Sequence, residues 1–410
     1  MKIYRLWKCA IGCVGLMMAA MPWGFAAPSV ATSGVGWQQL AVAAAGHAAI
    51  LVEEGSGRVL LASHADEAMI PASILKVATS SCALDTLPAN FRFPTAFYYS
   101  HKGSLYVKGY GDPAFVSEEM PRIVQALASR GIRQIHKIIL DDTFFAPGIQ
   151  IDGQSKSLNP YDAMNGALIA NFNTIMVRKL PNGTVVSAEP QTPMTALTTE
   201  LARALPRGAG RINLSRMPEQ SVLYVGHLLR AFLQQGGIPV LAEIKRGKVP
   251  HQLQPTYIHY SSKLLADDLQ NLLEFSNNFM INQIFLAMGA EKFGAPATVE
   301  KGVRVVTECM HRLGWKNFAI REGSGLSRDN RVTAIDMMRL LRSFEGRQNL
   351  LPIKEGLRAK TGTLQGVSSL IGYFQSPSNH HYRFVIIIND PHTTYEHKFK
   401  VAKIITAGLQ

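Results

Sequence analysis

The sequence lacks the spacings that hold a metal: it has no CxxC pair and no HExxH, and its twelve histidines are scattered, with His380-His381 reading as a polar turn. No metal site and no cofactor are expected. With four cysteines in 410 residues it cannot be a disulfide-stapled miniprotein. Repeats and low-complexity stretches are missing, and beyond residue 27 no run is long and apolar enough for a transmembrane helix. Charge is sparse, at 17% of residues, while apolar side chains reach 47%. That balance excludes a disordered or collagen-like chain and leaves length for one large domain or two to three small ones. The charge present leans one way, 42 Lys+Arg against 29 Asp+Glu, which points to an anionic neighbour: nucleic acid, a membrane surface or an anionic wall polymer.

What is present begins with an export pattern. Lys2, Arg5 and Lys8 precede an apolar run from Cys9 to Met21, and Trp23 to Ala27 offers small residues for cleavage near Ala26. Residues 1–26 therefore read as a signal peptide; an uncleaved anchor is the alternative, disfavoured by the short run. Those residues carry three basic side chains and no acid, so their removal lowers the formal charge from +13 to +10. Export counts against a nucleic-acid partner. Cys9 and Cys13 leave with the segment. Cys82 and Cys309 are read as two buried thiols on helices, with pairing open in an oxidising compartment.

Ala48–Glu53 and Arg58–Ser63 flank Glu54-Gly55-Ser56-Gly57 as a hairpin, and Pro71 opens a helix over 72–87. Between about 91 and 255 the character shifts: strands at 95–99, 104–107 and 135–140, helices at 118–131, 191–205 and 222–236, and loose Gly/Pro/Asn-rich stretches between them. Helical periodicity returns at Leu264, Leu265, Leu269, Leu272 and Leu273, with Ser261 or Ser262 as cap. Further helices cover 299–313 and 334–344. Strands at 358–363, 368–374 and 382–389 and a helix over 394–407 close the chain. A hairpin at the front and strands at the back imply one sheet closed by both ends, with residues 91–255 inserted.

Three short motifs follow in order: Ser73-Ile74-Leu75-Lys76, Ser276-Asn277-Asn278 and Lys360-Thr361-Gly362. On a helix, residues three apart share a face, so Ser73 can meet Lys76. A serine needs a base to act as a nucleophile, and a lysine serves when burial and nearby positive charge lower its pKa. Ile74, Leu75 and Val77 supply apolar surroundings, and Lys360 is a candidate neighbour. K-T-G sits on a strand, where a backbone N–H can complete an oxyanion hole. Singly each motif has a bland reading: a helix-start serine, a helix break with its cap, a strand-edge lysine. S-x-N also has a rival copy at Ser157-Leu158-Asn159. All three in order behind an export segment favour the chemistry. Gly109-Tyr110-Gly111 is a turn rather than a dinucleotide loop, since Asp112-Pro113 follows and no βαβ unit surrounds it.

The triple resembles the penicillin-recognising serine enzymes. Pro71-Ala72-Ser73, Gly109 to Pro113, Gly323-Ser324-Gly325-Leu326-Ser327-Arg328, Lys360 to Leu364 and the long S-x-x-K to S-x-N interval resemble the D-Ala-D-Ala carboxypeptidase/endopeptidase family of the penicillin-binding-protein-4 type, from about residue 37 onward. Glu322 stands where that family usually has Asp. The resemblance implies an α+β, β-lactamase/penicillin-binding-protein-like fold: an antiparallel five-stranded sheet flanked by helices, built from residues 27–90 and 256–410, with the accessory domain 91–255 inserted. It implies Ser73 as acylated nucleophile, Lys76 as base, Ser276 as proton relay, Asn278 as orienting amide and Lys360 as electrostatic support. Thr361, Gly362, Thr363, Leu364 and Arg328 would contact substrate, and the N–H groups of Ser73 and Thr363 would form the oxyanion hole. Tyr161 would lie near the stem peptide, accompanied by Asp152 or Asp162. The partners implied are peptidoglycan stem peptides and, as covalent inhibitors, β-lactams, in the periplasm or cell-wall space, with peripheral wall or membrane association open. A β-lactamase or esterase on the same fold, or a non-catalytic wall-peptide binder, are the alternatives.

Overall fold

A computed structural model describes residues 36–88, 90–155 and 157–410. The expected signal peptide lies outside them. The two ends of the described chain do share one antiparallel sheet. Its order is Ile353–Lys354, Leu357–Leu364, Val367–Gln375, His381–Asn389, Ala48–Glu54 and Val59–Ser63. Ala48 stands opposite Ile388 and Glu54 opposite Tyr382, which fixes the register between first and last strands. The expected five strands become six because a two-residue edge strand, too short to leave a periodic trace, pairs at Lys354–Leu357.

Both faces of this sheet are covered, which explains why its central strands are apolar almost without alternation. Ala49, Leu51, Ile371, Tyr373, Val385 and Ile387 face one core, shared with helices Leu75–Thr86, Leu265–Phe275, Asn278–Phe293, Val299–Arg312 and Ala334–Phe344. Ala48, Ile50, Val52, Leu370, Phe384, Ile386 and Ile388 face the other, under helices Trp37–Ala45 and His397–Gly408. Helix Asn278–Phe293 is buried on nearly every side from Phe279 to Ala290, so its apolar residues run all round rather than along a stripe. Each fully buried aliphatic or aromatic side chain here contributes about 1.5–3 kcal/mol.

The middle of the chain builds two further sheets. One has the order Tyr257–Tyr260, Pro94–Tyr99, Ser104–Gly109, Lys137–Asp141 and Ile244–Arg246. Its last two pairings are parallel. Its strand 257–260 lies just past the expected junction at 255. The other is a three-stranded ribbon, Val185–Ser187, Thr174–Lys179 and Gly208–Asn213. The expected helices 191–205 and 222–236 are found as Ala196–Ala202 and Pro218–Gln235.

Two local expectations are corrected. Helix Leu265–Phe275 is not capped by Ser261 or Ser262; Asp267 in its first turn accepts the Leu264 backbone N–H at 2.9 Å instead. Cys82 and Cys309 are not free thiols. Helices Leu75–Thr86 and Val299–Arg312 bring their Cα atoms to 5.9 Å, and the two are disulfide-bonded. Helix-face burial was legible for each cysteine singly, but the pairing depends on how the two helices cross.

Candidate active site

Ser73 lies in a short 3-10 turn, Ala72–Ile74, that runs into helix Leu75–Thr86. Ala72 has φ 52°, a left-handed conformation costly for a residue with a Cβ. It holds Ser73 half-exposed at the mouth of an otherwise buried helix. Lys76, on the same face, is fully buried. Its Nζ lies 2.8 Å from Ser73 Oγ, 2.7 Å from Asn278 Oδ1 and 2.8 Å from the Ser324 carbonyl. Burial pushes its pKa down to about 7, against the pull of the Glu322 carboxylate.

The second motif sits at a joint between helices. Ser276 ends helix Leu265–Phe275 in a left-handed conformation (φ 54°). Asn277 starts the next helix, its side chain accepting the Met280 N–H at 3.0 Å. The reversal turns Ser276 and Asn278 toward different lysines. Asn278 meets Lys76, whereas Ser276 Oγ accepts from Lys360 Nζ at 2.9 Å. Lys360 also donates to the Thr361 carbonyl at 2.9 Å. Burial first, and then the positive charges of Lys76, Lys354 and Lys398, hold its pKa well below the usual lysine value.

The K-T-G strand passes so close to Ser73 that only glycine fits at 362. A Cβ there would stand 2.2 Å from Ser369 Oγ, 2.8 Å from the Pro71 carbonyl and 3.0 Å from the Ser73 amide nitrogen. Ser369 ties the two segments together by donating to the Pro71 carbonyl at 2.6 Å. Beyond it Thr361 is half-buried and Thr363 exposed. Leu364 is half-buried at the strand end, opposite Val367. Arg328 is exposed, and its guanidinium donates to the Gln365 carbonyl at 2.9 Å, just past the strand rather than among the reacting groups. Tyr161, also exposed, accepts from Asn159. Asp152 accepts from Ser327, and Asp162 from Ser157.

Several contributors carry no motif. Glu322 is completely buried and accepts from the amides of Ser324 (2.7 Å) and Gly325 (2.7 Å) and from Asn330 Nδ2 (2.8 Å). It thereby shapes the loop whose Ser324 carbonyl binds Lys76. Gly325 in that loop, at φ +84°, lies so near the Ala72 carbonyl that a Cβ would come within 1.9 Å. The departure from Asp to Glu was the only trace of this role in the sequence. Lys398, on the closing helix, is likewise buried, with Nζ 2.8 Å from the Gly362 carbonyl and 2.6 Å from Thr363 Oγ1. Nothing in its sequence context distinguishes it from a surface lysine.

Depth does not mark this site. A cavity of about 910 Å³, lined by residues such as Tyr110, Phe144, Met164, Val222 and Lys248, lies elsewhere and includes none of the three motifs. Among the described residues no group of three His, Cys, Asp or Glu is placed to hold a metal ion.

A lysine amine, an amide oxygen and a carbonyl converging on a serine at a helix start, beside a K-T-G strand, is the arrangement of an acylating serine enzyme. The sequence matches the model of the D-Ala-D-Ala carboxypeptidase 3 (S13) family over residues 38–203, 187–357 and 344–407. The chain belongs to this family. Membership carries the class of a serine-type, penicillin-binding D-Ala-D-Ala carboxypeptidase. Among relatives, a D-alanyl-D-alanine carboxypeptidase of an Actinomadura species is 26% identical over 403 residues, 80% of this chain and 75% of that protein. The D-alanyl-D-alanine carboxypeptidase DacB of Haemophilus influenzae is 25% identical, over 82% of this chain and 84% of its own. The fold is that of the crystal structure of penicillin binding protein 4 (dacB) from Haemophilus influenzae: TM-score 0.72 at 19% identity, covering 91% of this chain and 99% of that one.

Proposed function

We propose that the enzyme is exported and cleaves the D-Ala-D-Ala bond, or a D,D-cross-link, of peptidoglycan stem peptides through an acyl-enzyme on Ser73. The observation that carries this reading is the set of partners around Lys76. A neutral amine has two N–H donors and one lone pair. Asn278 Oδ1 and the Ser324 carbonyl can only accept, so they take both donors and leave the lone pair aimed at the Ser73 hydroxyl. Lys76 is thus placed to remove the Ser73 proton as Oγ attacks the penultimate D-Ala carbonyl. The N–H groups of Ser73 and Thr363 receive the oxyanion, and Ser276, backed by Lys360, passes a proton to the leaving amine. Water then releases the shortened peptide and frees Ser73. Thr361 and Thr363 receive the substrate carboxylate, with Gly362 giving the strand its close approach and Leu364 and Arg328 bordering the groove. Residues 36–88 and 261–410 form the catalytic unit, and residues 91–260, whose strand 257–260 pairs with 94–99, flank it as an inserted domain.

Incubation with a fluorescent penicillin tests the mechanism. The wild type is expected to carry one stable label, and Ser73→Ala none. Labelling that survives in Ser73→Ala removes Ser73 as nucleophile. Rapid turnover of the penicillin, instead of a persistent adduct, points to a β-lactamase.

A further inference from the structure

Lys398 is a buried charge without a counter-ion. It is completely inaccessible, and among the described residues no carboxylate lies within ion-pairing distance. Glu396 offsets only part of the cost of burial, which holds its pKa down to about 8. Its surroundings are the Gly362 carbonyl at 2.8 Å, Thr363 Oγ1 at 2.6 Å and the face of the Tyr395 ring at 4.3 Å. Two of these partners belong to the strand that borders Ser73, and the third covers the ammonium from the turn just before its own helix. A buried lysine is destabilising unless something repays it, and an uncharged side chain could hold the helix to the strand at lower cost.

The direction of the hydrogen bond to Thr363 supplies the reason. An ammonium has no lone pair, so it must donate to Thr363 Oγ1. The hydroxyl proton of Thr363 is then not needed by Lys398 and is free to point outward, toward the groove. A threonine with a neutral, accepting neighbour could equally turn its proton inward and present a lone pair to an incoming anion. Donation from an ammonium also polarises the hydroxyl and strengthens it as a donor.

We propose that Lys398 is a positioning residue for the substrate's terminal carboxylate: its ammonium fixes and polarises the Thr363 hydroxyl as an outward donor, and the carboxylate is its counter-ion through that hydroxyl. This rests on the peptidase reading above and adds the residue that makes the groove select an anionic terminus. Lys398 does not touch the substrate itself, and the pull of its charge on the carboxylate passes over one side chain.

Benzylpenicillin and its methyl ester differ only in that carboxylate, so they separate carboxylate recognition from folding. Rates of Ser73 acylation by each are followed by intact-protein mass spectrometry in the wild type, Lys398→Met and Lys398→Arg. The wild type is expected to prefer the free acid. In Lys398→Met the rate with the acid falls at least tenfold more than the rate with the ester, so the preference collapses. Lys398→Arg, which keeps the charge, retains most of it. An unchanged acid-to-ester ratio in Lys398→Met overturns the proposal. So does an equal loss on both probes, which is what a misplaced strand or a misfolded variant gives. Absence of any Ser73 adduct in the wild type is a different result, and overturns the peptidase reading itself.

Discussion

The pH dependence of acylation follows from the burial of Lys76. An ordinary lysine has a pKa of 10.5; this one is pushed down to about 7. Keeping it charged inside the protein therefore costs on the order of 5 kcal/mol relative to water. Glu322 is the acid that opposes the shift, Lys360 the neighbouring cation, and Asn278 and the Ser324 carbonyl the neutral partners. With the neutral amine of Lys76 as the proposed base, the second-order rate constant for penicillin acylation should rise about tenfold per pH unit below 7 and level off near 8. An unshifted lysine would give a rate still climbing at pH 9. The assay is a stopped time course of fluorescent-penicillin labelling between pH 5 and 9.5, with the melting temperature followed at each pH. A rate that is flat from pH 5 to 7, or still rising tenfold per unit above pH 8, refutes Lys76 as a base tuned by burial.

Stability provides a second handle on the same residue. The folded-state pKa is depressed, so between about 7 and 10.5 the unfolded chain binds more protons, and Lys76 makes stability rise with pH across that window. Lys76→Met should accordingly abolish acylation yet raise stability by about 1–3 kcal/mol at pH 7, measured by denaturant unfolding; a loss of stability contradicts this. Reduction of Cys82–Cys309, which spans 227 residues, should lower stability by about 3–5 kcal/mol, read as a fall in melting temperature on adding a thiol reductant. Gly362→Ala should cut acylation at least about a hundredfold, because its Cβ meets the Pro71 carbonyl and the Ser73 amide. Adding Ser369→Ala removes only the softest of these clashes, so a full rescue by the double variant would show that the backbone approach is not what matters.

The parts of the site visible in the sequence are those whose chemistry demands a fixed residue type at a fixed spacing. Ser73 and Lys76 are three apart on one turn, and Ser276 and Asn278 straddle a single reversal, so local geometry reports their roles. The hairpin and the three closing strands were legible because their apolar runs are dense. The two-residue edge strand and the ribbon's strand Val185–Ser187 were not, since short half-exposed strands hardly differ from loop. Glu322 and Lys398 escaped for another reason. Glu322 acts largely through amides of its own loop, and Lys398 through a carbonyl and a hydroxyl of a distant strand, and such partners leave no residue pattern. The pairing of Cys82 with Cys309 is similarly a product of helix crossing.

The register that sets Ala48 against Ile388 has a consequence for the order in which the molecule comes into being. Synthesis reaches Ser73 early, but the acceptors around Lys76 arrive at 278 and 324, the neighbouring strand at 360, and the lysine behind it at 398. Among the described residues, the strand that joins the hairpin to the sheet's interior is His381–Asn389, made near the end. Loops of nearly the whole chain length must close before these contacts form, which makes folding slow and late. A chain cut short before His381–Asn389 thus lacks the strand that joins the front hairpin to the closing strands. The surroundings of Ser73 assemble only once segments far downstream in the chain have been made.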